Sequence, residues 1–328
     1  MEAKIRKTQQ RITEWYEFYE GKVYVSRSGG KDSDVLGDII KKLYPDVPQI
    51  FIDTGLEYES VRKHGKEVST KVLKPAMPFT NVIKRYGYPI ISKDVSQTIY
   101  ELQNAKEKGG NPEYRMKKIN GELLDKYGNP SQFNMPQYKF LLDAPFKISH
   151  MCCDEMKKKP AKKYEKDTGS HVFLGIMACE GKMRKNKYLN SGCNAFDLKR
   201  PTSQPLSFWT EQDILQYIKL YSVDIAKAYG QVVHMDQDGM TYYDSIFTDS
   251  LTLITTGDKR TGCAFCLFGI NSDKERLLRL KQREPEKYDY IMRGGKFNEK
   301  GFWQPHNGLG FKFVVDWLNE HGNLNIRY

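Results

Sequence analysis

Long apolar runs are missing from this sequence: none approaches the roughly 20 residues that a membrane-crossing helix needs. The first ten residues, MEAKIRKTQQ, also lack the apolar stretch of a secretory signal. Both absences argue for a cytoplasmic protein with no membrane partner. Cysteine is sparse, six in 328 residues, and in a reducing compartment those six are expected as thiols serving metal binding or catalysis, not as disulfides. Acids are outnumbered, 41 against 52 Lys and Arg, so the chain carries +11 and favours anionic partners such as nucleotides or nucleic acid. No internal repeat or low-complexity tract interrupts it.

What is present is an alternation of short apolar strands and amphipathic helices. Ile5, Ile12, Trp15, Tyr16 and Tyr19 recur at helical spacing over residues 4–20, ahead of a strand at Val23 to Val25. Strands follow at 49–53 (QIFID), near Val72 and Leu73, and at 171–176, with helical stretches between them. This order predicts an α/β fold, a parallel sheet with helices on both faces. Thr210 is placed as the N-cap of a helix beginning in SFWTEQDILQYI, with Gln212 and Asp213 near the capping-box position. Residues 102–140, rich in Gly, Asn, Lys and Pro, read as an insertion or lid with some helix near 113–126. The expected division is a nucleotide-binding domain over 1–270 and a helical C-terminal region over 271–328. In that tail Trp303, Phe311, Phe313 and Trp317 are assigned to amphipathic packing and not to base stacking.

The first strand runs into Ser28-Gly29-Gly30-Lys31-Asp32-Ser33 and then a helix. In an open parallel sheet this turn is the usual phosphate seat. Two glycines let backbone amides approach an anion, the helix start adds positive dipole, Lys31 adds a full charge, and Ser28 and Ser33 offer hydroxyls. The pattern is not GxxxxGK[ST], because the first glycine is absent and Asp32 follows the lysine.

Cys152-Cys153 and Cys263-Ala-Phe-Cys266 form two pairs, and four thiolates suit either a 4Fe-4S cluster or a structural zinc. Adjacent cysteines suit zinc less well. Lys157, Lys158 and Lys159 could offset the charge of such a site or form a solvated run. Cys179 follows a predicted strand near Lys182 and Arg184, which could lower its thiol pKa, although inert packing is the plainer expectation for both Cys179 and Cys193.

SGGKDS after a buried strand resembles the pyrophosphate-binding PP-loop of the adenine nucleotide alpha hydrolase superfamily. FIDTGLEYES (51–60), GYPIISKD (87–94), CCDEMKKKPAKKY, FLGIMACEGKMRK, PLSFWTEQDILQYI and TGCAFC resemble, in order, the segments of phosphoadenosine phosphosulfate reductase family proteins. The resemblance spans roughly residues 20–270 and implies a Rossmann-like domain. It implies nucleotide contacts from Ser28, Gly29, Gly30, Lys31, Asp32, Ser33, Asp53, Thr54, Gly55, Glu57, Gly175 and Glu180, with Lys31, Asp32 and Arg184 in catalytic roles. It also implies a 4Fe-4S cluster on Cys152, Cys153, Cys263 and Cys266, with zinc as the alternative.

Two departures shape the expected reaction. Reductases resembling this chain attack sulfate with a cysteine in a C-terminal tail, and no cysteine follows Cys266. Relatives also carry an arginine where this chain has Met177. With an intact loop and no tail nucleophile, ATP split to AMP and pyrophosphate with Mg2+ is expected in place of adenylyl sulfate. Adenylation of an acceptor for sulfur transfer would follow, with donor and acceptor unidentified by the sequence. A sulfonucleotide reductase using Cys179 or a partner's thiol, and a nucleic-acid-binding or thiolating module, are the alternatives.

Overall fold

The computed structural model describes residues 1–105, 111–243 and 251–328. It divides into two compact units, Met1–Pro75 with Lys159–Gly262, and Ala76–Lys158 with Cys263–Tyr328. This division runs differently from the expected one at residue 270.

The first unit is built on a six-stranded sheet in the order Lys71–Leu73, Gln49–Ile52, Val23–Arg27, His171–Leu174, Thr202–Ser203, Asn194–Ala195. All neighbours pair parallel except the last two strands. The fold is therefore α/β with a mostly parallel sheet, as the alternation predicts. Side chains of a strand alternate between faces, and this separates two apolar layers. Val23, Val25 and Phe173 pack with Ile12 and Trp15 of the helix Glu2–Phe18, with Val35, Leu36, Ile39 and Ile40 of the helix Lys31–Leu43, and with Ile214, Leu215 and Ile218 of the helix Glu211–Tyr221. Tyr24, Ile50 and Val172 pack on the other face with Tyr164 of the helix Lys159–Thr168. Thr210 caps Glu211–Tyr221 in a capping box completed by Asp213, which satisfies amides that the first turn leaves unpaired.

In the second unit, Ile90–Ile91 pairs parallel with Leu267–Phe268. Of the expected insertion at 102–140, residues 106–110 lie outside the described residues. The helix there is Pro112–Asn120, ended by Gly121 at φ +83°, a left-handed position that favours glycine. It is held in the unit by Arg115 donating to both oxygens of Glu101 and by Lys118 on Asp94. The charged tail helix is two helices, Arg276–Arg283 and Pro285–Met292, because Pro285 lacks the N–H that would continue the first. Phe311 and Trp317 of the helix Phe311–Gly322 are buried, and Trp303 stacks on Phe313 at 4.4 Å, so the aromatic tail packs as expected.

One buried ion pair joins sheet to helix in the first unit. Arg27, last in the central strand, donates to Asp34 Oδ1 at 2.9 Å and to the carbonyl of Ser33 at 2.8 Å. A Cβ on Gly37 would stand 1.7 Å from the Arg27 guanidinium. Gly37→Ala should therefore expel Arg27 and strand the Asp34 carboxylate, costing about 3–5 kcal/mol in a urea melt; a loss below about 1 kcal/mol would show that Arg27 has another seat.

Candidate functional site

The turn Ser28–Ser33 lies at the carboxyl end of the central strand, where parallel sheets place their ligands. Gly29 takes φ +70°, and a Cβ there would meet the Val61 carbonyl at 2.7 Å. Both facts require glycine. Gly30 begins the helix Lys31–Leu43 with no side-chain cap, and the helix dipole still points its positive end at the turn, although the Ser33 amide already donates to the Gly30 carbonyl at 2.9 Å. The hydroxyls hold the turn: Ser33 Oγ donates to the Gly30 carbonyl at 2.7 Å and accepts from the Ser28 amide at 3.1 Å, and the Gly30 amide donates to Ser28 Oγ.

Lys31 is 4 % exposed. Its Nζ donates to the Lys259 carbonyl at 2.9 Å and lies 3.3 Å from Glu211, while its amide donates to Tyr229 Oη at 3.3 Å. Burial pushes the Asp32 carboxyl up to about 6; Glu180 and Glu211 add to the rise, and Lys31 and Arg260 oppose it. His64 sits 3.1 Å from Asp34 at the same helix; burial lowers its pKa, but the Asp34 carboxylate outweighs this and holds it above the ordinary value.

Two further predicted segments meet this turn. Gly175 directly follows the neighbouring strand His171–Leu174, and a Cβ on it would come within 2.9 Å of the Asp32 carbonyl, so glycine there permits the close approach. Glu180 accepts from the Met177 amide at 3.1 Å and pairs with both Arg184 and Arg260. Asp53 to Glu57 follow the adjacent strand, and Val61, in the helix after them, is the residue against Gly29. Burial raises the Asp53 carboxyl, but hydrogen bonds from Arg62 and Lys66 prevail and bring it down to about 2. Thr54 donates to Glu57, which is 1 % exposed. Asp53 and Glu57 are thus tied to residues of their own segment, and Gly55 donates its amide to Asp53 Oδ1 at 3.2 Å.

Met177, standing where an arginine was expected, is 3 % exposed and belongs to the apolar core. Cys179 is exposed, but burial of its thiol and the nearby carboxylate of Glu180 raise its pKa, contrary to the lowering suggested by nearby bases. The carboxylates of Asp32 and Glu211 add to the rise. Cys193 is buried and its thiol is raised, in keeping with inert packing.

The sequence did not single out Tyr229, Lys259 or Arg260, and Glu211 was seen only as part of PLSFWTEQDILQYI. Thr261 was seen only as part of TGCAFC. Tyr229 and Thr261 hydroxyls lie 2.8 Å apart beside Gly30. These residues are about 180–230 positions from Lys31, and no local spacing announces them.

All four expected ligand cysteines fall in the second unit. Cys152 and Cys153 Sγ atoms are 3.9 Å apart. The hydrogen bond to Cys153, burial and the neighbouring thiols Cys153, Cys266 and Cys263 push the Cys152 thiol up. Its bond with Cys152, against burial and with help from Lys93 and Lys157, brings the Cys153 thiol down to about 6. Among the described residues, no group of three or more His, Cys, Asp and Glu side chains is placed to hold a metal ion. Cys153, Cys263 and Cys266 all lie within electrostatic reach of Cys152, and Lys93 and Lys157 within reach of Cys153.

Residues 114–264 match the family described as phosphoadenosine phosphosulfate reductase domain. The matched stretch begins after the glycine-lysine turn and ends between Cys263 and Cys266. No curated protein matches the chain significantly. Among solved structures, phosphoadenylyl-sulfate (PAPS) reductase from Candida auris in its phosphate complex is similar, with 16 % identity and a TM-score of 0.37. That likeness covers 67 % of this chain and 82 % of the other.

The Asp32 carboxyl is raised in the folded chain, so its ionisation costs stability as pH climbs from about 4 through about 6. Asp32→Asn should match wild type at pH 4 and exceed it at pH 7.5 by on the order of 2–3 kcal/mol. Denaturant midpoints at the two pH values read this out; an equal offset at both would sink it.

Proposed function

We propose that this chain binds ATP at Ser28–Ser33 and cleaves it to AMP and pyrophosphate, adenylating an acceptor for sulfur transfer. The observation that carries the reading is the turn itself: an uncapped helix start at Gly30, a left-handed Gly29 and the buried Lys31 together. Such a start attracts phosphate oxygens through amide hydrogens and dipole, without needing a side-chain acid. Lys31 and the amides would steady negative charge growing on the departing pyrophosphate, an electrostatic role. Lys31 would exchange Glu211 and the Lys259 carbonyl for phosphate. Asp32, Gly175, Glu180 and Arg184 are the further candidates around the turn, with Asp53, Thr54, Gly55 and Glu57 on its flank. Mg2+, held chiefly by the triphosphate, would neutralise its charge.

Cys152, Cys153, Cys263 and Cys266 would hold a 4Fe-4S cluster, with zinc as the alternative. When bound, a cluster supplies electron transfer or a site for sulfur. Lys93 and Lys157 would balance part of the thiolate charge.

The family match supports sulfonucleotide-related chemistry in general and so keeps a reductase reading open. Against its finer form stands the raised, less nucleophilic thiol of Cys179.

Protein purified without oxygen should hold about four iron and four sulfide per chain, lost in Cys263→Ser. It should bind ATP with Mg2+, and Lys31→Ala should weaken that binding tenfold or more, since hydrogen bonds to charged groups contribute about 1.5–3 kcal/mol. Calorimetry measures the affinity and chromatography the AMP. Thiol-dependent sulfite release from adenylyl sulfate, with no ATP binding, would replace this reading with the reductase one.

A further inference from the structure

We propose that Arg260 is a phosphate-binding residue of the Ser28–Ser33 site, held in reserve by Glu180 until a di- or triphosphate takes its guanidinium. The proposal deepens the ATP reading and rests on it for the identity of the ligand.

Four observations converge. The residues on either side of Arg260 are pinned to the turn: the Lys259 carbonyl accepts from Lys31 Nζ at 2.9 Å, and Thr261 Oγ1 lies 2.8 Å from the Tyr229 hydroxyl, which accepts from the Lys31 amide. The backbone of this loop is fixed as well, with Gly257 and Asp258 donating amides to the carbonyls of Tyr229 and Ala228. Arg260 itself projects outward, its side chain 62 % exposed, and reaches back to Glu180. Its charge is felt by Asp32, in the first turn of the helix, where it favours the ionised carboxyl.

Glu180 takes two guanidinium groups, Arg184 and Arg260, on one carboxylate that is 11 % exposed. Two guanidinium groups share this one carboxylate, so Arg260 keeps N–H donors for a second anion. A pyrophosphate group has more negative oxygens than a carboxylate and suits the planar fork of arginine, so it competes for Arg260 on favourable terms. Met177, buried in the core, leaves this position of the loop without a cation; Arg260 brings one in from a segment some 80 residues later.

The test is calorimetric titration with inorganic pyrophosphate, and separately with ATP, of wild type, Arg260→Ala, Arg260→Lys and Lys163→Ala, the last removing an exposed charge elsewhere. Arg260→Ala should weaken pyrophosphate tenfold or more with an unchanged thermal midpoint. Arg260→Lys should recover only part of this, and Lys163→Ala should stay within twofold. Wild-type affinity in Arg260→Ala, an equal loss in Lys163→Ala, or no pyrophosphate binding by the wild type would each overturn the proposal. Arg260-dependent pyrophosphate binding without any ATP binding would keep it and remove the ATP reading. ATP binding insensitive to Arg260→Ala would do the reverse.

Discussion

The buried pair of Arg27 and Asp34 is the constraint on which the first unit depends. It ties the end of the central strand to the first turn of the following helix, and the Ser28–Ser33 turn is the short chain between them. Arg27 also donates to the Ser33 carbonyl, so the helix start is held from its own backbone. Burial lowers the Arg27 pKa, and Asp34 and Asp38 oppose that fall. Such a pair adds little net stability against apolar packing, yet breaking one partner is costly. It works here as a positioning device. Gly37 is the space that makes it possible.

Around the turn, the chain satisfies its own charges. Lys31 has Glu211 and a carbonyl, Asp53 has Arg62 and Lys66, and Glu180 has two arginines. A ligand entering such a site exchanges partners and does not meet bare charges. Its affinity is therefore the difference between two sets of ion pairs, and any substitution acts on both. At Cys179, burial and the carboxylates of Glu180, Asp32 and Glu211 raise the thiol pKa, although bases lie near it in sequence.

Much of the fold was legible in residue order. Val23 to Val25 and His171 to Leu174 read as strands because their apolar side chains fill both faces of a parallel sheet. Thr210 and Asp213 announced their helix through capping chemistry that is local to four residues. The glycine-lysine turn was legible for the same reason. Glu284-Pro285 split a helix that charge pattern alone ran together, and Met177 showed only by its burial that its place belongs to the core. The division into units was not legible, since both are assembled from two separated stretches of chain.

By itself the sequence determined the strand-turn-helix, the glycines it requires and the presence of four paired cysteines, because these rest on backbone sterics and side-chain chemistry within a few residues. Tertiary structure alone decided that Tyr229, Lys259, Arg260 and Thr261 stand at Lys31, that Asp53 is spoken for, and that Arg27 is locked to Asp34 across a gap only glycine leaves open. Those outcomes depend on long-range packing and on competition among charges for partners. Neither has a period or a spacing along the chain.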